Sequence, residues 1–158
     1  MKGKRRSVAL LLMFSADAAI KIVVSLFLSD IEYSYFDLIG FRAYLNKTQL
    51  SIFNNELGLN ISTGILIIIN VIMLIILEYN IRVSKAQGAY NTLCRTGLLL
   101  LEAGAICSLT DKIFWKGSLD YLIVLFKIVD LKDIYLFAGV ILALAGLIQA
   151  AVAMRKTQ

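Results

Sequence analysis

Four aspartates, Asp111, Asp120, Asp130 and Asp133, fall within the stretch CSLTDKIFWKGSLDYLIVLFKIVDLKD, residues 107 to 133, between two long apolar runs. The chain contains no histidine. Two carboxylates in one pocket do not both ionise easily and share a proton. The neutral one can then polarise a carbonyl while the ionised one activates water. Asp120 and Asp133 are the pair whose positions suit that aspartic-protease chemistry. Each also has a plainer reading alone. Asp133 immediately precedes an apolar run, where an N-cap would satisfy free backbone N–H groups and the positive helix end. Asp120, after KGSL, reads as a solvated loop aspartate near the outer interface.

Other polar groups lie inside the apolar runs, where ionisable side chains are costly and functional by default. Asp17 and Lys21 stand one helical turn apart, acid before base, the favourable order. Two readings stand side by side: a self-neutralising pair between helices, or the lining of a hydrated site. Glu102 reads as a polar contact near the inner interface, and Asn70 as an interhelical hydrogen bond. Cys94 and Cys107 are thirteen residues apart on one expected helix, about 20 Å. They cannot bridge, and neither has metal-ligand spacing.

The elements that must position these residues are membrane helices. The sequence is 59% hydrophobic with a mean hydropathy of +0.81, against roughly 45–50% apolar for a soluble domain. Spans of ~20 apolar residues are expected at about 8–28, 59–77, 94–113 and 134–154, in one polytopic domain. The first carries a basic leader, MKGKRRS, but also Asp17 and Lys21 and no small-residue cleavage site, so it reads as a retained helix. The +5 charge is not a nucleic-acid footprint. With both termini on one side, that side holds nine positive residues against Glu78 alone, and the other side holds six positive and eight acidic residues. This is the positive-inside pattern. It predicts cytoplasmic termini and an external 107–133 stretch. The other external segment, Ser29 to Gly58, mixes aromatic and polar residues without a clean period and suits the membrane interface.

The ordered motifs resemble signal peptidase II, the bacterial lipoprotein signal peptidase family. The family pattern G-G-A-x-G-N-x-x-D-R, with a further Asp nine residues on, aligns with AGAICSLTDK and SLDY. Gly104, Ala105, Asp111 and Asp120 match. F-N-x-A-D with a Gly six residues later aligns with VDLKD and Gly139, giving Asp133 the aspartate position. D-x-x-x-K aligns with DAAIK, Asp17 and Lys21. The resemblance spans nearly the whole chain. It implies an all-α membrane protein: four transmembrane helices, with a small external β-cradle and an interfacial helix between helices one and two. It implies a peptidase of the bacterial cytoplasmic membrane that cuts diacylglyceryl-modified prolipoproteins before the lipid-bearing cysteine. Asp120 and Asp133 would be catalytic, with Asp17, Lys21, Ser108, Asp111, Lys112 and Asp130 in the substrate site. Neither metal nor cofactor is implied. The expected partners are prolipoproteins and membrane lipids, the expected state is a monomer, and globomycin-type peptides are the expected inhibitors.

Departures from the pattern are specific. Lys112 replaces Arg, Ser108 replaces Asn, and Cys107 replaces Gly. Asp130 replaces the Asn of F-N-x-A-D, and Lys132 its small residue. The Gly after D-R comes one residue late, as Gly117, and the dyad aspartates are only thirteen residues apart. The external N-x-G-x-A-F motif has no clear counterpart, leaving Asn46, Asn54 or Asn55 for that role. An extra carboxylate at Asp130 adds negative charge that would raise a dyad pKa unless Lys112 or Lys132 offsets it. These changes motivate the alternative of a catalytically inactive relative that binds precursors or a membrane partner. A transporter using Asp17, Lys21 and Glu102 is a third reading, resting on buried charge alone.

Overall fold

A computed structural model describes residues 3–36, 38–47 and 61–155 of the chain. Four long helices carry it: α1 (Gly3–Phe27), α2 (Thr63–Ala86), α3 (Thr92–Phe114) and α4 (Leu131–Arg155). All four are long and apolar enough to cross a membrane. The chain is a multi-pass membrane protein. The helices run past the expected apolar cores. α1 begins at Gly3 and α2 continues through Glu78 to Ala86, because a helix that leaves the hydrocarbon keeps its internal hydrogen bonds in water. Capping fixes two starts. Ser62 accepts from the Ile65 N–H ahead of α2, and Asn91 from the Cys94 N–H ahead of α3.

The strands are β1 (Glu32–Tyr35), β2 (Ile39–Asn46), β3 (Ser118–Val124) and β4 (Lys127–Val129). They form one antiparallel sheet in the order β1-β2-β3-β4. The expected small β-structure is therefore present, but half of it comes from the segment between α3 and α4. The expected interfacial helix lies outside the described residues. Asp120 is not in a solvated loop: it sits in β3, paired with Tyr44 of β2. The β3–β4 connection is the two-residue turn Leu125–Phe126, both with positive φ (48° and 66°). Type I′ geometry suits a hairpin, but it is usually met by Asn-Gly rather than two bulky residues.

α3 is the central helix. It packs on α1, α2 and, most extensively, α4. Close approach explains that last seam. A Cβ on Gly97 would fall 2.2 Å from the Ala143 backbone N, and one on Gly146 would fall 2.2 Å from the Cys94 backbone N. Small residues let helix backbones meet in lipid, where apolar burial gives little drive for association. Leu77, Ile81, Cys94, Leu98 and Ala105 form a core between α2 and α3. Val24, Leu119 and Tyr121 form a second core that ties α1 to the sheet. Among the described residues Asn70 makes no interhelical bond; its amide donates to the Leu66 carbonyl of its own helix, 3.1 Å away.

Candidate active site

The sheet end of the bundle collects the charged residues. Asp17 and Lys21 come from α1, Ser108, Asp111 and Lys112 from α3, and Ser118 and Asp120 from β3. Asp130 precedes α4, and Lys132 and Asp133 lie in its first turn. The last turn of β4 into α4 sets the geometry. The Asp133 N–H donates to Asp130 Oδ1 at 3.1 Å, and the Asp130 N–H donates to Asp133 Oδ2 at 3.2 Å. This is a reciprocal capping box. The N-cap is thus Asp130. Asp133 is three residues further on, because the helix begins at Leu131 rather than after Asp133.

Lys21 is the first hub. Its Nζ is 2.8 Å from Asp17 Oδ2, 2.7 Å from Asp111 Oδ2 and 2.7 Å from Asp130 Oδ2. Lys21 and Asp130 are both 0% exposed. Removing two or more ions from water costs several kcal/mol each unless they pair closely, and one ammonium with three carboxylates meets that condition. Lys132 is the second hub. It is paired with Asp130, lies 3.2 Å from Asp111 Oδ2, and approaches Asp120 Oδ1 at 3.5 Å. It also donates to the Ser118 hydroxyl, which in turn donates to Asp120 Oδ1 at 2.5 Å.

One carboxylate oxygen from each of Asp120, Asp130 and Asp133 lies within 4.8 Å of the others. Such convergence could hold a metal ion, but a positive charge is already built in, on Lys132. Asp120 is buried, whereas Asp133 is half-buried. Burial pushes the Asp120 carboxyl above the usual range; Lys132 and the Ser118 hydroxyl oppose this, and Asp130 adds to it. Burial would also raise Asp130, yet Lys132 and Lys21 outweigh it and hold that carboxyl below the usual range. Across the site, the five carboxylates of Asp17, Asp111, Asp120, Asp130 and Asp133 stand against two ammonium groups that pair with them, Lys21 and Lys132. A retained proton relieves that excess.

Lys112 points elsewhere. Its Nζ donates to the Ser108 hydroxyl at 2.7 Å and to the Ser108 carbonyl at 3.2 Å. Both residues line a groove of about 390 Å³ between α2, α3 and α4, with Leu66, Met73, Leu136 and Val140 among its apolar walls. A larger groove, about 530 Å³, follows α2 from Val71 to Arg82 and holds no converging acids.

A family model described as signal peptidase (SPase) II matches residues 9–149. The chain belongs to the signal peptidase II family. No curated protein matches it in sequence. Two solved structures share the fold, both described as bacterial membrane enzymes studied by the in meso method. The first, at 2.3 Å resolution, is 20% identical with a TM-score of 0.76, over 96% of this chain and 92% of that one. The second, at 1.9 Å, is 20% identical with a TM-score of 0.74, over 93% and 94%. That level of identity supports the architecture, and the family membership makes this a membrane peptidase fold.

Within this signal peptidase II chain, the expected site residues fall into three groups. Asp120 and Asp133 converge. Asp17, Lys21, Asp111 and Asp130 are buried in mutual ion pairs behind them. Ser108 and Lys112 line the adjoining groove. Of the external asparagines, Asn46 reaches the site, its amide 3.4 Å from Asp120 Oδ2; Asn54 and Asn55 lie outside the described residues. Ser118 escaped the sequence reading. Its signal was the spacing to Asp120, since residues i and i+2 of a strand share a face.

Proposed function

We propose that this chain removes the signal peptide from diacylglyceryl-modified prolipoproteins, as an aspartic endopeptidase using Asp120 and Asp133. The observation that carries the reading is their convergence from two different elements, with carboxylate oxygens within 4.8 Å, in a member of the signal peptidase II family. The ionised aspartate takes a proton from water as the water oxygen bonds to the scissile carbonyl carbon. The protonated aspartate hydrogen-bonds the carbonyl oxygen as negative charge develops there. Collapse of the tetrahedral species breaks the C–N bond, and the proton taken from water passes to the departing amine. Asp17, Lys21, Asp111 and Asp130 hold the dyad's surroundings in place, while the apolar groove by Ser108 and Lys112 suits a lipidated precursor. The excess of basic residues at the opposite end supports an active site at the outer face of the cytoplasmic membrane.

The test is cleavage of a diacylglyceryl-modified prolipoprotein by the purified protein, read as a gel shift. Asp120→Asn and Asp133→Asn are each expected to lower the rate by at least ~100-fold, the scale of lost general acid–base catalysis. Both variants should remain folded, and a globomycin-type peptide should inhibit the wild type. Full activity in either variant would overturn the dyad. A folded wild type that binds precursors but cleaves none would favour the non-catalytic relative.

A further inference from the structure

The two hubs differ in what they do for the dyad. Lys21 touches neither Asp120 nor Asp133 among the ion pairs of the site, whereas Lys132 reaches Asp120 both directly and through Ser118. We infer that Lys132 is a positioning residue: its ammonium, acting through Ser118, fixes Asp120 as the ionised member of the pair and leaves the proton to Asp133. The inference rests on the peptidase reading only for the catalytic meaning of that assignment.

Hydrogen-bond direction carries the argument. An ammonium has donors and no acceptor. The Ser118 oxygen must therefore accept from Lys132, and its single hydrogen is free to go elsewhere. Two carboxylate oxygens compete for it, Asp120 Oδ1 at 2.5 Å and Asp111 Oδ2 at 3.5 Å. Distance decides for Asp120. A donor aimed at a carboxylate favours its charged form, and this donor is backed by a full positive charge. The same Asp120 oxygen also lies 3.5 Å from Lys132 itself. Its second oxygen meets only the longer Asn46 contact at 3.4 Å among these bonds, so it is the one placed to take a proton from water. Asp133 is held differently. Its Oδ2 receives the neutral backbone N–H of Asp130, and it stands beside the Asp130 carboxylate. Lys132 also acts on it through space, but no hydrogen bond or ion pair joins the two among the described residues. Of the dyad, only Asp120 receives the donor chain through Ser118.

The groups facing Asp120 come from every neighbouring element. They are Ser118 on its own strand, Asn46 from β2, Asp111 from α3, and Asp130, Lys132 and Asp133 at the start of α4. Lys132 is the only cation that makes direct contact with it among the described ion pairs. Burial and Asp130 both work against ionisation of Asp120, and Lys132 is the strongest opposing influence. The sequence shows how such a cation was accommodated. Where the resemblance calls for Asn and a small residue, this chain has Asp130 and Lys132, which pair with each other. The two changes add one charge of each sign, so the site gains a fixed cation without a change in total charge.

Infrared titration of aspartate carboxyls in the full-length, detergent-solubilised protein tests this, with the Asp120→Asn variant identifying the Asp120 band. Lys132→Met is expected to raise the Asp120 protonation midpoint by about one pH unit or more, as loss of an adjacent opposite charge does. Lys132→Arg should restore the wild-type midpoint, and Ser118→Ala should raise it by less than Lys132→Met. Because Lys132→Met removes one of the two cations that hold Asp130, the double variant Asp130→Asn/Lys132→Ala provides a charge-balanced fold; its midpoint should also rise. An unchanged midpoint in Lys132→Met or, where that protein does not fold, in the double variant overturns the inference. The acid limb of kcat/KM for precursor cleavage should move with the midpoint. A wild type that cleaves no precursor while the midpoint shifts removes the peptidase reading and leaves the role of Lys132 supported. Cleavage with a stationary midpoint does the reverse.

Discussion

Two ionic networks tie α1 to α3, one at each end of the bundle, and they are built on opposite terms. At the sheet end Lys21 joins Asp17, Asp111 and Asp130 with almost no solvent contact. At the other end Arg6 reaches Glu102 with both Nε (2.9 Å) and Nη2 (2.7 Å), and meets Glu78 of α2 at 2.6 Å. There the side chains of Arg6, Glu78 and Glu102 remain 22%, 39% and 16% exposed. Glu78 also receives Arg82 at 3.3 Å, one turn along. Water can replace any partner in the Arg6 cluster. It cannot in the Lys21 cluster, where losing one charge strands the others. The first arrangement staples helices together. The second also buries every charge it joins, so each depends on the others staying in place.

The contrast can be broken most directly at Lys21. Lys21→Met leaves three buried carboxylates without their shared cation, and should cost about 3–5 kcal/mol. Thermal unfolding in detergent should show this loss with little dependence on salt. A cost below about 1 kcal/mol would mean that the site admits water freely, and the contrast would fail.

Acid gives the next largest effect. Asp130 is held below the usual carboxylate range, so the stability it contributes is present above about pH 4 and disappears as pH falls through its lowered value. Asp120 has the opposite sign: burial lifts its carboxyl above the usual range, so its ionisation costs stability as pH rises, a cost that Lys132 and the Ser118 hydroxyl limit. Asp130→Asn should therefore flatten the loss of stability on acidification below pH ~4. A wild type and variant with parallel acid profiles would show that Asp130 is not the responsible group.

The smallest effect is expected at the exposed staple. Arg6→Gln should cost about 1 kcal/mol, and the difference from wild type should shrink as salt is added, because partly exposed pairs are screened. A salt-independent loss as large as that of Lys21→Met would make the two networks alike.

Much of this was legible in the sequence. Hydropathy found four spans, and ordered acidic motifs found the residues that converge. The missing parts have physical reasons. β3 is buried along most of its length, with SLDY buried throughout, so it lacks the alternation that marks a half-exposed strand. The Leu125–Phe126 turn lacks the Asn-Gly signal that would have announced a hairpin. Arg6 read as part of a topology signal because its partners lie 72 and 96 residues away. Asp133 read as an N-cap because the apolar run starts after it, whereas Leu131 and Lys132 already belong to the helix. Lys132 read as a departure from a motif and, with Lys112, as a candidate offset for the charge of Asp130. Only the fold shows that its partners are Asp130, Asp111, Ser118 and Asp120.

The Lys21 network also has a consequence for biosynthesis. Every carboxylate of the site except Asp17 lies between residues 111 and 133, in α3, the β3–β4 hairpin and the lead into α4. Their deepest counter-ion was made some ninety residues earlier, on α1. While it waits, Lys21 is neutralised by Asp17 on the same helix. The α1 helix thus carries its own partner for Lys21, and the later arrival of Asp111 and Asp130 extends that lasting local pair into a bond between distant parts of the chain.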